Sequence, residues 1–418
     1  MIGTGFTYSG GLVNGGTITE IDILDTTDPT ATTQDHVLVN TNGWNINAAA
    51  FFSDIGSYAA DHTGPGLALL NGIFNNATYN IVGSAGAGGT NTGSQDGADV
   101  FFGGDHADAF NGMPGPFGPG DNGSDTVDYS HAAAGITVDL SNPLNNTGAA
   151  TGDTYISIEN IRGTNFNDVL TGDANNNVLE GGLGTNTLNG GGGFDVASYE
   201  HATAGVTVSL IAPGSQPTGG AGTDTLTNIE GLRGSNFNDT LIGNGSSVLE
   251  GGAGNDQLIG QSGQGDTASY EHATAGVSVN LAITVQQDTH GAGLDTLTNI
   301  ANLSGSHFND TLTGDAHDNV LFGNGDHDTF VFNKTAPGGI GHDTIGDFVS
   351  GQDNIKLDYL AFTPGDANSF STWLSGHVTT VNSGSDLLID LDLNGANTIL
   401  LKNASVAGLH ASDFILPA

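Results

Sequence analysis

Through the middle of this chain glycine returns every ninth residue, and the residues between return with it. From Gly163 four blocks follow without a gap: GTNFNDVLT (163–171), GDANNNVLE (172–180), GGLGTNTLN (181–189) and GGGGFDVAS (190–198). GSNFNDTLI (234–242), GGAGNDQLI (251–259), GSHFNDTLT (305–313), GDAHDNVLF (314–322) and GNGDHDTFV (323–331) continue the series. Upstream, GGDHADAFN (103–111) and GDNGSDTVD (120–128) fit the same template. That template has Gly first, Asp or Asn sixth and an apolar residue eighth. Repeats of one short unit fix an architecture before any other signal does.

The physics of one block is local. A short strand carries the eighth-place side chain inward, and its neighbours point out, as strand alternation requires. The glycines permit positive φ, so the chain reverses within a few residues. The sixth-place side chain sits at the turn. Stacked turns bring two such side chains and several backbone carbonyls together, the oxygen-rich shell of six to eight ligands that calcium takes. The block thus predicts a mainly β chain: a parallel β-roll or β-helix solenoid with an apolar interior and ions along its turns.

A longer repeat contains the short one. Asp125–Tyr129, Asp195–Tyr199 and Asp266–Tyr270 open three units spaced by 70 and 71 residues. Each opening is followed by a related stretch at 131–140, 201–210 or 272–281, then by Ile158–Gly163, Ile229–Gly234 or Ile300–Gly305. The predicted divisions are an N-terminal α+β module (1–90), first blocks (91–124), three long repeats (125–194, 195–265 and 266–332) and a β-rich C-terminal cap (333–418).

Composition narrows the chemistry. The chain has 418 residues with 45 acidic and 5 basic side chains, a formal charge of −40. Such a charge opposes compaction unless counter-ions bind, and it argues against nucleic acid, which needs basic patches. A disordered acidic chain is disfavoured, because 36% of residues are hydrophobic and fall at regular places. Cysteine is absent, so a metal must be held by oxygen or imidazole, and oxygen donors favour a hard cation such as calcium. The metal candidates are Asp99, Asp108, Asp125, Asp168, Asn177, Asn186, Asp195, Asp239, Asp256, Asp266, Asp310, Asn319, Asp328 and Asp343. Turn glycines beside them are Gly103, Gly104, Gly163, Gly172, Gly181, Gly182, Gly184, Gly190, Gly191, Gly234, Gly251, Gly252, Gly254, Gly305, Gly314, Gly323 and Gly325. Asn177, Asn186 and Asn319 bring an oxygen without charge, so weaker sites are expected there. Block 243–250 has lost a residue and carries Ser247 near the ligand place, so a broken or vacant site is expected.

In phase over about 93–350, these blocks resemble the RTX (repeats-in-toxin) nonapeptides. The resemblance implies a parallel β-roll holding multiple calcium ions, a secreted protein that folds on calcium outside the cell, and export by the type I secretion machinery. Asp195–Leu210 and Asp224–Gly234 look like the strands that intervene between RTX blocks, and are expected to continue the coil. Gly341–Leu357 resembles the C-terminal cap of serralysin-like proteins, and the closing Asp413-Phe414-Ile415-Leu416 resembles an uncleaved type I secretion signal. A cap is physically required, because an open end exposes unpaired strand edges. Leu387–Leu393 and Thr398–Leu401 read as a hairpin over that end.

Several other readings are weighed on the residues. Asp390-Leu-Asp392-Leu-Asn394-Gly395 opens like an EF-hand loop, but its twelfth position is Leu401 rather than Glu. Neither H-E-x-x-H nor G-x-S-x-G occurs, so a serralysin-like protease domain is not expected and no catalytic residue is proposed. His131, His201 and His272 recur at matching places, which favours packing or turn bonding, while His106, His317 and His327 are expected to face solvent. Residues 1–90 read as a strand at Thr17–Leu24 and helical spacing at 47–58 and 67–74; they could seal the first coil or bind a glycan or partner. No N-terminal signal peptide and no membrane-spanning stretch is read. The expectation is a non-catalytic calcium-binding exoprotein at the cell surface or beyond it. The alternatives are a self-assembling surface-layer, filament or adhesin component, and the RTX tail of an exoenzyme.

Overall fold

The computed structural model describes residues 124–333, 339–357 and 367–415, and before them a series of short strand segments from Ile2 to Asn111. One of these is Thr17–Ile23, at the expected strand. Of the helical spacing read at 47–58 and 67–74, only Asn47 is described, and it ends the strand Asn45–Asn47; the rest lies outside the described residues, as do Asp99, Gly103, Gly104, His106 and Asp108. The chain divides into two compact units, Met1–Ala197 with Gly222–Ile229, and Ser198–Ala221 with Glu230–Ala418.

In the first unit the eighth-place residues build two long parallel ladders, beside a short third of Thr90–Thr92, Ala109–Asn111 and Thr154–Ile156. Thr126–Asp128, Asn160–Arg162 and Val178–Glu180 pair in register, with Val100–Phe102 before them and Val196–Ala197 after. Thr137–Asp139, Val169–Thr171, Thr185–Asn189 and Gly222–Thr227 form the other ladder. Two nonapeptides make one turn of coil. Leu170 and Leu188, eighteen residues apart, are neighbours in one ladder, and Leu179 and Ala197 in the other. Their side chains are buried with Val127, Val138 and Ile161, so each coil adds a pair of apolar residues to one continuous core. This is a parallel β-roll.

The second unit repeats the scheme. Gly231–Arg233, Val248–Glu250, Thr267–Ser269, Asn302–Ser304, Val320–Phe322 and His342–Ile345 run parallel in one ladder. Thr207–Ser209, Thr240–Ile242, Gln257–Ile259 and Leu294–Thr298 form a second, and Ser278–Asn280, Thr311–Thr313, Thr329–Phe332 and Asn354–Leu357 a third. Both expected intervening stretches thus carry strands of the coil, Thr207–Ser209 here and Gly222–Thr227 in the first unit. The short block 243–250 does not disturb the register. Leu232 and Leu249 pair at seventeen residues instead of eighteen, so the turn absorbs the deletion and the strand keeps its inward face.

The C-terminal hairpin is present. Asp386–Asp390 pairs antiparallel with Thr398–Leu401, which also runs parallel to His342–Ile345 and covers that edge. The EF-hand-like run therefore leaves a strand and is followed by one, with no flanking helices. One element departs from the β-rich expectation: Ala367–His377 is an α-helix. Phe370 and Trp373 lie one turn apart on it, and their rings meet Phe414 at centroid distances of 5.8 and 5.1 Å. An aromatic pair at i and i+3 is a helical signal, but at 333–418 the alternating strands around it dominated the reading. No helix among the described residues is long and apolar enough to cross a membrane.

Candidate metal centre

The sixth-place side chains are buried. Asp168, Asn177, Asn186, Asp195, Asp239, Asp256, Asp266, Asp310, Asn319, Asp328 and Asp343 all lie at 0–2% exposure. The roll stacks them in rows. Asn177 N–H donates to Asp195 at 2.8 Å, Asp239 N–H to Asp256 at 2.8 Å, Asp310 N–H to Asp328 at 2.9 Å and Asn319 N–H to Asp343 at 3.0 Å. Each acidic side chain thus accepts from the backbone of the matching residue one coil earlier. Asp125, also buried, donates its own N–H to a carboxylate outside its row, that of Glu159 at 2.8 Å.

The turns fall into two backbone classes, decided at the second place. Where that residue is not glycine, it usually donates its own N–H to the sixth-place acceptor and closes the turn. Thr164 does so to Asp168 at 2.6 Å, Asp173 to Asn177 at 2.7 Å, Ser235 to Asp239 at 2.6 Å, Ser306 to Asp310 at 2.6 Å and Asp315 to Asn319 at 2.8 Å. Asn244 to Ser247, Gln261 to Asp266 and Val349 to Asp353 follow at 2.7–2.8 Å. None of these donors has a positive φ. In the other class the second place is left-handed: Gly182 (φ 74°), Gly191 (φ 101°), Gly252 (φ 89°) and Asn324 (φ 69°), with Gly339 (φ 79°) four residues before Asp343. A β-carbon on Gly182, Gly191 or Gly252 would overlap the carbonyl oxygen of Thr164, Asp173 or Ser235 beneath it. Only glycine lets those carbonyls approach the turn.

Two of the open turns leave a carboxylate oxygen uncompensated. Oδ2 of Asp256 and Oδ2 of Asp343 are buried without a hydrogen-bond partner. Burial, with Asp295 and Asp239 beside it, pushes Asp256 up to about 8; burial, with Asp318 and Asp315, does the same for Asp343. Asp328 is pushed to about 7 by burial and by Asp310, Asp353 and Asp347. A buried carboxylate oxygen without a donor is costly for a fold to carry. Oxygens of this kind, next to backbone carbonyls, form a donor set that suits a hard cation. Among the described residues no three His, Asp or Glu side chains converge as a metal cluster. The candidate donors are instead one or two carboxylates with main-chain oxygen.

Three buried acids escaped the nonapeptide template. Asp224, Asp295 and Asp353 occupy the same rows: Asn186 Nδ2 donates to Asp224 at 2.9 Å, Asp256 N–H to Asp295 at 3.0 Å and Asp328 N–H to Asp353 at 3.1 Å. The Asp-x-apolar spacing of Asp295-Thr-Leu297 and Asp353-Asn-Ile355 was the available signal. Of the recurring histidines, His272 bonds to side chains of earlier coils. Its Nδ1 lies 3.0 Å from Glu250 and its Nε2 3.1 Å from Arg233. His317 and His327 are exposed.

Comparison with known proteins agrees with this geometry. The family described as the RTX calcium-binding nonapeptide repeat matches four stretches, 95–115, 162–197, 233–265 and 302–330. No curated protein matches the chain. Among solved structures, the extracellular lipase LipA from Serratia marcescens is similar at 16% identity and a TM-score of 0.18, over 62% of this chain. The chain spans 40% of that lipase, and a superposition this loose carries no argument. The stacked glycine–aspartate turns in these four stretches are therefore RTX calcium-binding nonapeptide repeats, carried on a parallel β-roll.

Proposed function

We propose that the chain is a secreted, non-catalytic calcium-binding protein whose roll closes when calcium fills its turns outside the cell. The observation that carries this reading is the pair of buried, donorless oxygens at Asp256 and Asp343 in a chain of charge −40. Calcium bound there supplies the positive charge that the fold itself lacks. Sixth-place carboxylates hold the ion, and main-chain oxygens of the stacked turns complete its shell. Where calcium is scarce the carboxylates repel and the coil stays open, a state suited to passage through the type I secretion machinery. In millimolar calcium each site that binds only the folded chain stabilises it by RT ln(1 + [L]/Kd), or about 2.7 kcal/mol at a hundredfold excess. Far-ultraviolet circular dichroism in chelator and in calcium tests the reading. A β signal that appears only with calcium supports it, and one that is unchanged by chelator overturns it.

A further inference from the structure

Resting on that calcium reading, we infer that the sixth-place residues are of two kinds, and that only the open turns take a cation. In a closed turn the main chain supplies hydrogen-bond donors to both carboxylate oxygens. Asp239 receives N–H groups from Ser235 at 2.6 Å and Val206 at 2.6 Å, and the Ser235 hydroxyl at 3.0 Å. Asp310 repeats the arrangement with Ser306 and Val277. Both carboxylate oxygens are then occupied, and a cation would have to displace main-chain donors that are buried and have nowhere else to bond.

The residue that chooses between the two states is the second one of the block. A right-handed or extended residue there turns its N–H toward the sixth place. A left-handed glycine withdraws the donor and lets a carbonyl of the preceding coil come close. The first blocks of the repeats, G-[ST]-x-F-N-D, are closed; the later G-G-x-G blocks are open.

Asn186 shows what an open turn does without a carboxylate. Its Nδ2 donates to Asp224 at 2.9 Å and points at the carbonyls of Gly182 and Leu183 at 3.4 Å. An amide nitrogen stands among oxygens where a cation would sit. Asn319, in a closed turn, is held differently: its oxygen accepts from the Asp315 N–H, and its nitrogen donates to the Ala301 carbonyl at 2.8 Å and to Asp315 Oδ1 at 3.3 Å.

The test restores the template aspartate in each setting and counts bound calcium by titration calorimetry on the full chain. Asn186→Asp gains one calcium per chain, or tightens one site by roughly tenfold, and Asn319→Asp gains none. An added or tightened site in Asn319→Asp, or neither in Asn186→Asp, overturns the inference. Should either variant fail to fold, a calcium-soaked crystal of the unaltered chain decides by anomalous scattering. Ions at the Asp256 and Asp343 turns with none at the Asp239 and Asp310 turns support the assignment; ions at all four overturn it. An unaltered chain that takes up no calcium at all refutes the calcium reading instead.

Discussion

A single backbone angle separates the two kinds of turn. Gly252 at φ 89° lies against the Ser235 carbonyl, so its hydrogen is a structural requirement. Replacing it with alanine adds both left-handed strain and overlap, and Gly252→Ala is expected to cost about 1–3 kcal/mol. Urea denaturation in calcium measures it; a loss near zero would mean the turn has room to relax. The sequence displayed the glycines and the sixth-place residues but not which N–H each acid receives. That depends on φ at Thr164 or Ser235 and on a donor one coil away, such as Val206 to Asp239 at 2.6 Å. Neither is encoded in the nine-residue pattern alone. Glu250 was also invisible as a ligand of the loop above it. Although burial works against its charge, His272 and Arg233 hold its carboxyl below the usual range. Glu250→Gln keeps the shape and removes the charge, and is expected to cost about 1–3 kcal/mol by leaving the partners short of an acceptor, read in the same denaturation assay.

At the scale of strands, the eighth-place apolar residue carries the core. Leu258 is buried between Leu241 and Leu297 in its ladder. Leu258→Ala is expected to cost about 2–5 kcal/mol, as other buried leucine truncations do, with the calcium requirement rising in step. A shift in thermal midpoint at fixed calcium measures it; no shift would place the residue outside the core. The period of nine made these strands legible, because each contains one inward residue and a fixed turn. The Ala367–His377 helix was less legible, since its apolar face rests on Phe414, forty-four residues from Phe370. Trp373→Ala is expected to loosen the cap while leaving the upstream ladders intact. Hydrogen exchange rising at Thr398–Leu401 but not at Val248–Glu250 would show this, and a uniform rise would contradict it.

For the whole molecule the governing quantity is a charge of −40. Without metal, Asp256 and Asp343 titrate near 8 and Asp328 near 7 in the folded chain, against about 3.9 when unfolded. The folded state therefore binds protons more tightly. The contribution of these three carboxyls to metal-free stability is fully present below about pH 4 and is gone once pH has risen through 7 to 8. Acidification in chelator is expected to restore β structure, and acidification in calcium to weaken calcium binding, because protons and calcium compete for the same oxygens. A metal-free chain equally unfolded at pH 5 and pH 8 would contradict this. The most direct measurement is amide hydrogen exchange at the central ladder residues Leu179, Leu249 and Leu321, in millimolar calcium and then in chelator at neutral pH. Calcium as the agent that closes the roll predicts slow exchange in the first condition and exchange near unfolded rates in the second; equal protection in both would contradict it.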